Sequence, residues 1–146
     1  KAATTVPDDL PALVEALLRR DALQALSLAN KAGAVVAGFD QVAAALARNA
    51  VIAILHAREA AGGGRRKLAG GSGVAAISPF QSAEMDLALG RIHVIHAALT
   101  VGAVSDACLF RCRLLLAYRG EGGDGARVGE PNSQTGARAP AGSKAE

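Results

Sequence analysis

The segment Leu26–Val42, LSLANKAGAVVAGFDQV, limits the fold more than any other part of this chain. It reads as the end of a helix, a stop at Gly33, a short apolar strand at AVVA (34–37), a glycine turn at Gly38, and the start of a new helix. A strand without a polar face must be covered on both sides, which points to a sheet held between helix layers. The Gly38 turn has a second consequence. A helix N-terminus offers unpaired N–H groups and the positive end of the helix dipole to an anion such as phosphate.

The rest of the chain repeats the alternation. Asp8, Asp9 and Pro11 predict a helix to about Arg20, with Leu10, Leu13, Val14 and Leu17 on its apolar side. A second helix is expected from Asp21 to about Ala32. Residues 39–49 predict a helix in which Val42, Ala45, Leu46 and Asn49 share helical spacing. VIAILHA (51–57) is the strongest strand signal, followed by VAAIS (74–78) and HVIHAAL (93–99). GGGRRKLAG (62–70) reads as a glycine-flanked basic turn able to carry a short helix. SAEMDLAL (82–89) predicts a helix opened by a capping-box-like Ser82–Met85 pair. Ser105–Tyr118 predicts a closing helix. The expected fold class is α/β, a three-layer α/β/α sandwich with a central sheet of about four strands. There is no visible internal repeat.

Composition divides the chain into three parts. Residues 1–20 read as an N-terminal helix or linker remnant, and residues 21–118 as the sandwich domain. Residues 119–146 hold one large aliphatic residue, Val128, and four charges of each sign. Such a segment buries too little apolar area to offset its ordering entropy, so a disordered tail is expected. Apolar residues make up 51% of the chain and aromatics only 3%, so the core must be built from Ala, Val, Leu and Ile. The formal charge of +3 permits an anionic partner without requiring one. Cys108 and Cys112 lie one helical turn apart, with Leu115 on the same face, which is the pattern of a core stripe in a reducing, cytoplasmic protein. The longest charge-free stretch, Leu68–Ala83, contains Gly, Pro, Ser and Gln, so no membrane span is expected, and no signal peptide is visible. A first residue of Lys1 rather than Met is what a cut inside a longer protein would leave.

Several places invite a functional reading. Phe39 could stack on a base, and Asp40 and Gln41 could hydrogen-bond base edges. Equally, Asp40 could merely favour the helix dipole while Phe39 packs inside. Arg65, Arg66 and Lys67 suit phosphate contacts, or are a solvated loop. Leu89-Gly90-Arg91 could sit beside the Gly38 turn, or be an ordinary glycine cap with a basic neighbour. No phosphate-binding GxxxxGK[ST] loop is present, and no GxGxxG dinucleotide fingerprint follows a strand. His93 and His96, three apart on a predicted strand, would face opposite ways, and His56 stands alone, so no metal is expected. No cofactor is expected, and no catalytic constellation emerges. Phe110 shares a helix face with Asp106 and Arg113; if exposed it would mark a docking surface, and if covered a neighbouring helix would hide it.

The run LANKAGAVVAGFDQVAAALARNAVIAILHAREAAGGGRRKL, followed by SAEMDLALGRIHVIHAAL, resembles the ribosomal kink-turn-binding superfamily of the L-seven-Ae type, which includes bacterial YlxQ-like proteins. It is most similar to the bacterial domain that follows a YlxR module in one polypeptide. The likeness spans about Leu23 to Tyr118. It implies an α/β/α sandwich, RNA binding and a missing N-terminal YlxR-type module before Lys1. The family signature G-x-N-E-x-x-K meets Gly38, but its Asn, Glu and Lys positions hold Asp40, Gln41 and Ala44. The first exchange removes an amide donor and adds a negative charge. The last removes a cation that would meet a phosphate. The family's second RNA-contacting loop matches Leu89, Gly90 and Arg91.

The function expected is therefore a non-enzymatic RNA-binding domain of the bacterial translation or transcription machinery. Its RNA-contacting residues would be Lys31, Gly38, Phe39, Asp40, Gln41, Arg65, Arg66, Lys67, Leu89, Gly90 and Arg91. RNA is the expected partner, with no membrane and no small-molecule substrate. The other reading is a protein-interaction module that docks on a YlxR-type module or a ribosome-associated protein.

Overall fold

The computed structural model describes residues 9–60, 68 and 73–121. Among them lie four helices, α1 (Leu10–Lys31), α2 (Phe39–Ala47), α3 (Ser82–Leu89) and α4 (Ala103–Arg119). Four strands, β1 (Val35–Ala37), β2 (Val51–His56), β3 (Ala75–Ile77) and β4 (His96–Thr100), form one mixed sheet in the order β1-β4-β2-β3. β4 pairs antiparallel with β1 on one side and β2 on the other, while β3 lies parallel to β2. Residues 122–146 of the expected tail, the basic turn at residues 65–67 and residues 1–8 fall outside the described residues, whereas the tail's first residue, Arg119, is the last of α4.

The sheet is covered on both faces, as the apolar strands require. α1, α3 and α4 lie on one face, where Ala53, Leu55, Ala97 and Leu99 meet Leu26, Met85 and Leu115. α2 lies on the other, where Ile54 and Ala98 meet Val42 and Ala45. The strand period of two explains this sorting. One irregularity modifies it. A register shift between Val51 and Ala53 sends Val51 to the α2 side and Ala53 to the opposite face. Much of the interior is alanine, which lets helices approach the sheet closely. Of the three phenylalanines in the chain, Phe80 alone is buried. Cys108 and Cys112 are buried free thiols on the inner stripe of α4.

α1 departs from the sequence reading. No break occurs at Arg20–Asp21, and a single 22-residue helix runs through. Neither Gly nor Pro interrupts it, and Arg111 of α4 lies 3.8 Å from the Asp21 carboxylate. The single axis also decides which side faces in. Ala22, Leu26 and Ala29 are fully buried, so their stripe is the inner one. Leu10, Leu13 and Leu17 fall on another face and stay 40%, 50% and 57% exposed, the reverse of the expected packing. Two shorter corrections concern ends. The helix after Gly38 stops at Ala47, because Asn49 adopts a left-handed φ of 55°. The last strand begins at His96 rather than His93, because His93 too is left-handed (φ 64°). None of the described helices is long and apolar enough to cross a membrane.

An ionic cluster closes the far ends of α1 and α4. The Arg119 guanidinium donates to Glu15 at 2.8 Å and to the Pro79 carbonyl at 2.8 Å. Arg19 bridges Glu15 and Glu84, joining α1 to α3. Burial alone would raise the Glu15 carboxyl, but its hydrogen bond from Arg119 and the charges of Arg19 and Arg119 hold it below the ordinary value. A depressed folded-state pKa gives stability that is present above the unfolded value and is lost as pH falls through the folded one. The thermal midpoint should therefore drop on acidification below about pH 4.5. Glu15→Gln should lower the midpoint at pH 7 and shrink the acid-induced drop, measured by calorimetry between pH 7 and pH 3.

Candidate nucleic-acid interface

β1 delivers the chain to Gly38, which turns it into α2. Gly38 has φ 101° and ψ 147°, a conformation open to glycine and strained for other residues. Its N–H donates to the His96 carbonyl at 2.9 Å, pinning the turn to the start of β4. The first α2 bond runs from the Val42 N–H to the Gly38 carbonyl. The N–H groups of Phe39, Asp40 and Gln41 precede that bond, and no side chain caps this end. All three residues and Gly38 are solvent-exposed. The turn thus shows water a row of aligned donors at the positive end of a helix.

The facing wall is built from α3 and the segment after it. α3 opens on Gln81, whose N–H donates to the Glu84 carboxylate at 2.9 Å. The box therefore begins one residue earlier than the Ser82–Met85 pair suggested. Ser82 instead turns inward, and its hydroxyl donates to the Val94 carbonyl at 2.8 Å. Gly90 ends α3 in a left-handed cap (φ 65°), where the Arg91 N–H reaches back to the Asp86 carbonyl. The Asp86 carboxylate then accepts from the Val94 N–H at 2.8 Å and the His93 N–H at 2.9 Å. These two backbone donors, Val94 first, hold the carboxyl below its ordinary range. They also fix the left-handed His93, so residues 90–94 form a shaped loop.

The two walls meet. Ala37, Gly38, Gly90, Arg91, Ile92, His93 and Val94 line one open cleft of about 380 Å³. The Gly90–Arg91 connection, which the sequence left open as a neighbour of the Gly38 turn or an ordinary glycine cap, is both. Lys31 is exposed at the end of α1, and Asn30 beside it donates to the Leu89 carbonyl at 3.4 Å, tying that end to the Gly90 wall. The Leu89 side chain, by contrast, is 5% exposed and packed in the core, because the α3 stripe of Met85 and Leu89 faces inward. Arg65, Arg66 and Lys67 lie outside the described residues.

Phe39 does not pack inside, and it is not wholly free either. Its ring is 39% exposed, yet one side sits edge-on to the His96 ring at 5.8 Å. His56, which looked isolated, is paired across the sheet with His96. The two Nδ1 atoms are 2.9 Å apart in a buried contact, so one ring donates and the other accepts. Strand register brings them together, and no sequence spacing announces that. Among the described residues no group of three or more His, Cys, Asp or Glu is placed to hold a metal ion. The sequence reading also did not place Asp86, Ile92 or His93 at this site. Ile92 is 90% exposed at the cleft, and a lone Ile after Gly-Arg carries no signal that it lies outside the core.

No protein-family model matches the chain, and neither does any curated protein. Solved structures do. One is a protein of unknown function from Bacillus halodurans, with a TM-score of 0.58 and 17% identity over 62% of this chain and 95% of that one. Another is the Giardia lamblia 15.5kD RNA binding protein, with a TM-score of 0.53 and 13% identity over 69% of this chain and 89% of that one. The chain shares their fold.

Two substitutions test this geometry. Gly38→Ala meets no atom within 4 Å of the added carbon, so its cost is backbone strain alone, about 1–3 kcal/mol in urea unfolding. Asp86→Ala should speed hydrogen exchange at the His93 and Val94 amides while leaving Ala97–Leu99, held by the sheet, unchanged. Equal exchange at His93 and Val94 in both proteins would show that the loop holds its shape without the carboxylate.

Proposed function

We propose that this chain is a non-catalytic RNA-binding domain of the bacterial translation or transcription machinery, working in the cytoplasm. The observation that carries the reading is the cleft itself. The Gly38 turn, from which the uncapped α2 starts, shares one cleft with a hydrogen-bonded Gly90–Val94 loop bearing a cation and an exposed aliphatic side chain. Likeness of fold to the Giardia RNA binding protein supports it, as does the sequence resemblance to the kink-turn-binding superfamily. In this reading the α2 N-terminus receives a phosphate or base edge, and Asp40 and Gln41 read bases. Phe39 offers its exposed face for stacking. Lys31, Arg91 and the Arg65–Arg66–Lys67 turn neutralise phosphates.

The exchange of the family's Asn, Glu and Lys for Asp40, Gln41 and Ala44 weakens kink-turn readout in particular. Fluorescence anisotropy with a kink-turn RNA and a plain duplex of equal length, at two salt concentrations, separates the cases. Preference for the kink-turn supports retained base readout. Equal, salt-sensitive binding supports phosphate contact alone. Absence of binding to both RNAs refutes the reading. Lys31→Ala with Arg91→Ala should weaken binding and flatten the log–log salt slope by roughly 0.7–0.9 for each phosphate no longer neutralised.

One observation favours the second reading, a protein-interaction module. Phe110 is 59% exposed, so no neighbouring helix of the described residues covers it. A YlxR-type module or a ribosome-associated protein is the partner in that case. Tight, salt-insensitive binding to such a module, with no RNA retained, would decide for it.

A further inference from the structure

α1 and α4 lie side by side and run in opposite directions. The Tyr118 hydroxyl donates to the Pro11 carbonyl at 3.1 Å, and Arg111 sits by Asp21 further along. Their outer faces are apolar. Leu10, Leu13 and Leu17 follow one helical stripe of α1, and Phe110, Leu114 and Tyr118 follow one stripe of α4. All six side chains are between 39% and 59% exposed. The inner faces of both helices are already spent on the sheet, so this is a second apolar surface on one helix pair. Contiguous exposure of this kind marks an interaction site rather than the scattered apolar residues of an ordinary surface.

What covers it follows from the charges. Asp106 and Arg113 flank Phe110 on the outer side of α4, and both are exposed. Neither forms an ion pair with another described residue. Asp106 precedes Phe110 by about one turn and Arg113 follows it by about one turn. The stripe therefore reads negative–apolar–positive. An antiparallel crossing of two such helices about a two-fold axis near Phe110 sets Asp106 of each copy opposite Arg113 of the other. The chain's own undescribed ends are poor occupants. Residues 1–8 contain one large aliphatic residue, Val6, and residues 122–146 contain one, Val128.

We infer that the α1/α4 outer face is a self-association surface, on which a second copy of this chain docks α4 against α4 around Phe110. Apolar contact supplies the affinity, while the crossed Asp106–Arg113 pairs set the direction, since exposed ion pairs add little by themselves. This inference stands apart from the RNA reading. The cleft is built on the Gly38 turn and the Gly90 loop and shares no residue with this face.

Sedimentation equilibrium of the 146-residue chain, from low to high micromolar, tests it. The expected mass at the upper end is twice the 14.7 kDa of one chain. Phe110→Asp should weaken association about 30-fold or more, as removal of a central aromatic anchor does. Asp106→Arg should weaken it several-fold, and the exchange Asp106→Arg with Arg113→Asp should restore it. All three positions are exposed, and circular dichroism checks that each variant stays folded. A single-chain mass throughout overturns the inference, as does a dimer indifferent to Phe110→Asp. Failure of the charge exchange to restore association overturns the antiparallel register. A monomer whose Phe110→Asp variant loses binding to a YlxR-type module assigns the face to that partner instead.

Discussion

The backbone from Val94 to Thr100 is the piece on which the rest depends. β1 and β3 are only three residues long, too short to persist without neighbours. β4 holds β1 on one edge and β2 on the other. Its lead-in does equal service. The Ile95 carbonyl accepts from the Ala57 N–H, the His96 carbonyl from the Gly38 N–H, and the Val94 carbonyl from the Ser82 hydroxyl. One short stretch therefore fixes the Gly38 turn, the start of α3 and the end of β2. The cleft inherits its shape from this arrangement, since one wall hangs from the His96 carbonyl and the other from Asp86 bound to the His93 and Val94 amides.

Much of this was legible in the sequence, for a physical reason. Glycines at 33, 38 and 90 adopt positive φ, and each marks an end that the sequence reading placed. Fully buried strands showed as unbroken apolar runs. What escaped was information carried only by three-dimensional neighbours. Continuity of α1 through Arg20–Asp21 is the exception: no Gly or Pro breaks the run, a local signal that the two-helix reading passed over. The apolar spacing of Leu10, Leu13 and Leu17 is genuine, yet spacing does not say which face meets the sheet. His93 belongs to a loop because Asp86 captures its amide, and an Asp in the middle of a predicted helix gives no hint of that. Leu89 reads with Gly90 and Arg91 as one loop, whereas the helix ends between them and sends the leucine inward.

The two histidines show how register creates chemistry that spacing hides. His56 and His96 come from different strands and meet because β2 and β4 pair in antiparallel register. Their hydrogen bond requires one ring to donate and the other to accept. Phe39 rests against His96 from the first turn of α2, so the pair lies beneath one edge of the cleft. The strand below and the helix terminus above are thereby packed into one unit, which favours a preformed surface over one assembled on contact.

Charge decides what kind of recognition such a surface can support. Arg91 brings positive charge to the cleft, while Lys31 stands exposed at the end of α1 and Asp40 on the first turn of α2. The Asp86 carboxylate is already engaged with two backbone amides. The local balance is nearly neutral, so long-range attraction to a polyanion is modest and few counterions are displaced. Affinity must then come from short-range terms. Those present are directed N–H groups, the exposed face of Phe39 and the Ile92 side chain, and each needs a ligand of matching shape. A smooth duplex supplies phosphates but no unstacked base for Phe39 or Ile92. A bent or bulged strand supplies both. On the proposed reading, an RNA ligand would therefore be irregular rather than a smooth duplex, even with the Asn, Glu and Lys of the resembled signature absent.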